Sequence, residues 1–218
     1  LTWSAAASTI TVSANNVTMH NFLCISTMAT GFTTTAFAIL TTVLALDFTI
    51  DSCEFRDSAT TTGFLGIVTQ GGTTTNALDG LTFTNNKVLH TLATITNVTA
   101  AVVLTGALTD RITLSGNTIY QPTANTKALL ASWGANNVTS ATISGNKTFS
   151  LDTSNAGSLL QFSGTACSGL VSDNYVFHLV AGGVGLLCPV SSKLGFAQNF
   201  CGITGTADKN AVLNPLAT

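Results

Sequence analysis

One short register, repeated along the chain, constrains the fold more than any other feature of the sequence. Ile112-Thr-Leu-Ser-Gly-Asn117-Thr-Ile119 reads apolar, polar, apolar, two turn-forming residues, Asn, polar, apolar. The same register recurs from Ile10 to Val17, Phe48 to Phe55, Leu81 to Val88, Ala141 to Thr148, Gly169 to Val176 and Leu194 to Cys201. Its sixth residue is an anchor: Asn15, Cys53, Asn86, Asn117, Asn146, Asn174 and Asn199, at intervals of 38, 33, 31, 29, 28 and 25. Period-2 alternation predicts strands. A strand-bearing repeat of about thirty residues predicts one turn of a parallel β-helix per copy. The expected fold is therefore all-β and single-domain, with about seven coils.

Two flanking columns agree with the anchors. Three residues before each stand Val12, Ile50, Phe83, Leu114, Ile143, Val171 and Phe196, all apolar. Two residues after stand Val17, Phe55, Val88, Ile119, Thr148, Val176 and Cys201, apolar except Thr148. A one-residue slip would expose both columns, so the register is firmly specified. Asn suits a sharp bend because it tolerates the left-handed αL conformation better than most residues. Coils stack about 4.7–4.9 Å apart, so identical amides can hydrogen-bond along the stack. The expected Asn ladder comprises Asn15, Asn86, Asn117, Asn146, Asn174 and Asn199. Gly116 and Gly145, just before their anchors, fit the same bend.

On these residues the chain resembles right-handed parallel β-helix proteins, a group that includes pectate-lyase-like enzymes, bacterial adhesins and phage tailspikes. The resemblance is architectural and spans roughly residues 9–214. It implies a right-handed helix, but a fold shared by lyases, adhesins and viral spikes does not choose among them. Residues 1–8 are expected to form an N-terminal cap segment, with Trp3 as a lid, and residues 9–218 the β-helix domain. A second apolar run recurs at Leu129-Leu130, Leu159-Leu160, Leu186-Leu187 and Val212-Leu213, with Val102-Val103-Leu104 as its wider-spaced counterpart, and predicts another main sheet. Thr30 to Leu46 is apolar, but it is short for a membrane span and rich in Thr, and the repeat resumes directly after it.

Charged residues make up only 7% of the chain, against about 25% in an ordinary globular protein. So few charges suggest an outer surface covered by partners. The net charge of −2 offers no basic footprint for nucleic acid. The five cysteines, Cys24, Cys53, Cys167, Cys188 and Cys201, show no metal-like spacing; they are read as buried reduced thiols. No cofactor or metal is expected.

The best enzyme constellation is Asp79 and Asp110, each seven residues before its anchor in consecutive coils, with Arg111 beside them. Such a pair could sit at retaining-glycosidase separation; the plainer reading is a pair of turn residues bonding backbone N–H groups. Asp57, His90 and Gln121 share another column and read as a polar loop edge, while His20 and His178 stand apart. Thr11, Thr49, Thr82, Thr113 and Thr142 form an outward row. Such rows occur on ice-binding β-helices, but β-propensity alone accounts for this one. Tyr120, Phe149 and Phe177 fall three residues after consecutive anchors and are candidates for a glycan or subunit contact. Asn16, Asn97, Asn137 and Asn146 each begin a glycosylation sequon, of which Asn146 is assigned to the ladder. Glu54 and Lys87, one residue after their anchors, should be neighbours.

Together these residues favour a structural or host-contacting protein of an extracellular particle, the resemblance pointing to a phage fibre or tailspike-like component that binds surface glycans. A polysaccharide lyase or glycoside hydrolase is the first alternative and a bacterial surface adhesin the second. The expected location is extracellular or in a virion. The expected partners are copies of the same chain, as a trimer, or other virion proteins, and surface polysaccharide.

Overall fold

The computed structural model describes residues 1–3, 9–27, 35–39, 44–57, 66–70, 78–89, 100–105, 108–121, 127–132, 137–150, 158–178, 186–189, 191–203 and 213–216. Each coil contributes one strand before the anchor, one after it, and a third on the return path. The third full coil shows all of them, as Thr82–Thr84, Lys87–Leu89 and Ala100–Leu104. Strands of successive coils pair in parallel into three stacks. The first sheet has seven strands, from Thr18–His20 to Lys193–Ala197. The second has eight, from Thr2–Trp3 to Phe200–Ile203, and the third eight, from Ile10–Thr11 to Leu213–Leu216. Leu108–Asp110 and Asn137–Thr139 form a short fourth pair. The chain is thus a parallel β-helix, and no helix among the described residues is long and apolar enough to cross a membrane.

The inward columns make the core. Ile50, Phe83, Leu114, Ile143 and Val171 are buried on the first sheet, and Phe55, Val88, Ile119 and Val176 on the second. Val102, Leu130, Leu160, Leu186 and Leu213 share one row of the third sheet. In the early coils the rings of Phe37 and Phe48 meet edge to face at 5.8 Å, and those of Phe55 and Phe83 stack at 6.5 Å. Cys24, Cys53, Cys167 and Cys188 are buried free thiols.

The ladder forms from Asn86 to Asn199. Each Oδ1 of Asn117, Asn146, Asn174 and Asn199 accepts both the backbone N–H and the Nδ2 of the preceding Asn, at 2.9–3.2 Å. Each Asn also gives its second amide hydrogen to a carbonyl in the coil before. Asn117 donates to Phe83 at 2.8 Å and Asn146 to Leu114 at 2.8 Å. Those carbonyls belong to the inward column three residues before the anchor, so the two periodic signals in the sequence are one structural unit. Cys53 continues the pattern more weakly. Its Sγ accepts the N–H of Phe22 at 3.5 Å and donates to the Met19 carbonyl at 3.7 Å.

Two expectations are corrected here. Asn15 is not a rung. Thr18, Met19 and His20 pair with Thr49, Ile50 and Asp51, and Leu23 pairs with Glu54, so the first anchor is Phe22. Ile10 and Thr11 belong to the third sheet instead. The anomalous first interval then becomes 31 residues. Asn15 is exposed at another corner, where its Oδ1 accepts the N–H of Leu46. The αL conformation also sits one residue earlier than expected: Asn21, Ser52, Asn85, Gly116, Gly145, Asp173 and Gln198 carry φ of 51–66°. The anchor amide is selected for its hydrogen bonds, not for the bend. Thr2–Trp3 pairs with Ile25 and Ser26, adding a strand to the second sheet; the Trp3 side chain lies outside the described residues.

The ladder and its exception predict opposite outcomes. Asn117→Leu strands the two donors of Asn86 and the carbonyl of Phe83, and is expected to cost about 3 kcal/mol. Thr148 is buried, and its hydroxyl has no hydrogen-bond partner among the described residues. Thr148→Val is therefore expected to stabilise by about 1 kcal/mol. Denaturant unfolding of both variants checks the pair of signs.

Candidate functional sites

Among the described residues the interior is filled by apolar packing and the ladder, and the candidate sites lie at corners and on outer faces. The corner before the first sheet repeats an αL residue at Asn16, Asp47, Gly80, Arg111 and Ser140. Asp79 and Asp110 precede two of these in adjacent coils. Asp79 Oδ1 accepts the backbone N–H of Asp110 at 2.7 Å, and Asp110 Oδ1 accepts the Thr139 hydroxyl at 2.7 Å. Each carboxylate thus spends an oxygen on the neighbouring coil. Arg111 reaches Asp110 at 3.8 Å and Asp47 at 3.4 Å. Gly80 makes room for the longer reach, since a Cβ there would collide with the Asp47 carboxylate. Burial pushes the Asp79 carboxyl up, while the Thr139 hydrogen bond holds Asp110 below the usual carboxylate range.

The corner after the first sheet carries a pair that sequence reasoning missed. His20 Nδ1 lies 3.0 Å from Asp51 Oδ2. The same carboxylate accepts Thr84 Oγ1 at 2.7 Å, Asn85 Nδ2 at 2.9 Å and Ser52 Oγ at 3.0 Å. These bonds, led by Thr84, hold Asp51 down to about 2. His20 looked isolated because the first coil was placed in the wrong phase. With Phe22 as anchor, His20, Asp51 and Thr84 form one outward column. The Thr row shifts in the same way and runs Thr18, Thr49, Thr82, Thr113, Thr142. His90 lies outside the described residues, as do the side chains of Asp57 and Gln121.

Aromatic residues line the outer face of the second sheet. Tyr120, Phe149 and Phe177 are in register on consecutive strands and half-buried. The ring contacts lead from that row into the neighbouring column. Phe149 meets Tyr175 at 5.9 Å, and Tyr175 stacks on Phe200 at 4.9 Å. Tyr175 and Phe200 were not anticipated, because their column holds Glu54, Lys87, Thr118 and Lys147 in the earlier coils. Glu54 and Lys87 are neighbours in register as expected, but the ion pair of Glu54 is with Arg56, at 3.6 Å. No group of three or more His, Cys, Asp or Glu among the described residues could hold a metal ion.

No protein-family model and no curated protein sequence matches the chain. Among solved structures it is similar to PfbA, a surface adhesin of Streptococcus pneumoniae, with a TM-score of 0.60 and 12% identity. The match covers 94% of this chain and 60% of the PfbA chain, so the chain spans less than two thirds of that neighbour. At this identity the likeness establishes the fold and leaves the activity open.

The hydrogen bonds to Asp51 give a pH prediction. Its folded pKa is depressed from about 4 to about 2. The contribution to stability is therefore complete above about pH 4 and is lost as pH falls towards 2. Melting curves from pH 6 to pH 2 are expected to show a smaller acid loss for Asp51→Asn than for the unmodified chain. Parallel curves would exclude this role.

Proposed function

We propose that the chain is the recognition β-helix of a surface-displayed protein, and that it binds glycan on the aromatic face of its second sheet. The observation that carries this reading is the run of contacting rings, Phe149, Tyr175 and Phe200, flanked by Tyr120 and Phe177. Phe200 is 55% exposed, although burial would be favourable for a ring of that size. Sugar rings lie flat on such faces, and stacked coils repeat the platform along the axis. A fibre or tailspike-like component of an extracellular particle is the setting favoured by the scarce charge and the Thr-, Ser- and Asn-rich outer columns. A bacterial surface adhesin is the second setting, and the fold likeness to PfbA supports it.

A hydrolytic reading has one observation in its favour: Asp79 and Asp110 have pKa values displaced in opposite directions, as an acid and a base require. One experiment separates the readings. On a panel of bacterial and host polysaccharides the chain is expected to retain at least one glycan without shortening it. The double variant Tyr175→Ala, Phe200→Ala is expected to weaken that binding about tenfold. Undiminished binding by the double variant overturns the aromatic site, and shortened products abolished by Asp110→Asn establish the hydrolase.

The same scarcity of charge supports a closed homo-oligomer, a trimer about the long axis, with the small side chains of the Thr row allowing close sheet contact. Light scattering at micromolar concentration is expected to give three times the chain mass of 22.3 kDa. A monodisperse monomer would remove the trimer.

A further inference from the structure

A second concave site lies away from the aromatic row, at the corner between the first and second sheets in the first three coils. It is a cavity of about 550 Å³. Its rim is built from the consecutive αL residues Asn21, Ser52 and Asn85. Phe22 and Leu23 form its apolar wall and are 40% and 41% exposed. Phe22 occupies the place where the next five coils bury Cys or Asn, so an aromatic side chain stands at the surface where those coils hide a polar one.

The residues that line the cavity include two cations and one carboxylate. Glu54 and Arg56 line it and pair with each other at 3.6 Å. The Asp51 carboxylate stands beside the cavity and not in its lining; bonds from Thr84, Asn85 and Ser52 fix its position next to His20 and leave it charged. Lys87 also lines the cavity, is exposed, and has no carboxylate within ion-pair distance among the described residues. Of the charged side chains lining the cavity, Lys87 is thus the one without a direct ionic partner among the described residues, in a chain which has only seven Lys and Arg in all.

We propose that this cavity binds an acidic sugar residue, with its ring against Phe22, its hydroxyls on the Asn21 amide and the Oδ1 of Asn85, and its carboxylate on Lys87. A flat apolar face beside neutral hydrogen-bonding groups suits a polyol ring, and the surplus ammonium selects the charged form. Arg56, held by Glu54, borders the same end. The site shares no residue with the aromatic row, so it stands or falls independently of the function proposed above.

The test is titration of the whole chain with glucuronate, N-acetylneuraminate, glucose and N-acetylglutamate, followed by NMR chemical shifts. Saturable binding of the two acidic sugars is expected, with glucose weaker by at least about fivefold at low salt. Lys87→Gln is expected to bring the acidic sugars down to the level of glucose, and Lys87→Arg to restore most of the difference. Phe22→Ser is expected to weaken all the sugars. Equal binding of glucose and glucuronate, or an unchanged response in Lys87→Gln, would overturn the proposal. Binding of N-acetylglutamate as strong as that of glucuronate would overturn the sugar assignment.

Discussion

The structure depends on a row of buried amides that can be satisfied only by the coils on either side. A buried Asn leaves costly polar atoms unless each finds a partner. Here each internal rung receives two N–H groups at one oxygen and gives both amide hydrogens away. None of those partners lies within the same coil. A coil by itself would therefore bury an unsatisfied amide, and stacking removes that penalty while pairing the backbone. This makes neighbouring coils cooperative and fixes their phase, because a slip by one residue would send the buried amides and the inward apolar columns to the outer face.

The same constraint explains where the ladder weakens. Cys53 offers a sulfur at 3.5 Å in place of an amide oxygen, and Phe22 offers no acceptor at all. The first coils compensate with aromatic packing among Phe37, Phe48, Phe55 and Phe83. Released from the amide requirement, this end carries the concentration of outward polar chemistry: His20, Asp51, Glu54, Arg56 and Lys87. The far end keeps the ladder and turns aromatic on its outer face. The division follows from what the interior demands of each coil.

How much was readable in the sequence follows from the same physics. The rungs from Asn86 to Asn199 were legible because a buried amide leaves an invariant letter at a fixed distance from apolar columns. The third sheet was legible from its Leu pairs. The first coil was misphased because its anchor is Phe22, while Ile10 to Val17 happens to match the pattern. That error hid the His20–Asp51 pair and put Thr11 in place of Thr18. Asp79 and Asp110 were correctly placed in adjacent coils. Their engagement by a backbone N–H and by Thr139 depends on the geometry of the turn, which no spacing reports. Tyr175 and Phe200 were overlooked because an outward column obeys no rule from rung to rung.

That freedom of the outward columns is what allows a repetitive backbone to carry distinct chemistry along its length. In the column one residue past the anchors, the side chains run Leu23, Glu54, Lys87, Thr118, Lys147, Tyr175, Phe200 on strands in continuous register. Inward positions cannot drift in this way, since each must fit a close-packed neighbour above and below. Outward positions face no such test, and their spacing of about 4.8 Å per coil is set by backbone pairing whatever the residue. A rigid ruler with free markings can present charge at one end and rings at the other without loss of stability. With only 7% charged residues to distribute, the clustering of Glu54, Arg56 and Lys87 on two adjacent strands is a departure from an even solvating coat.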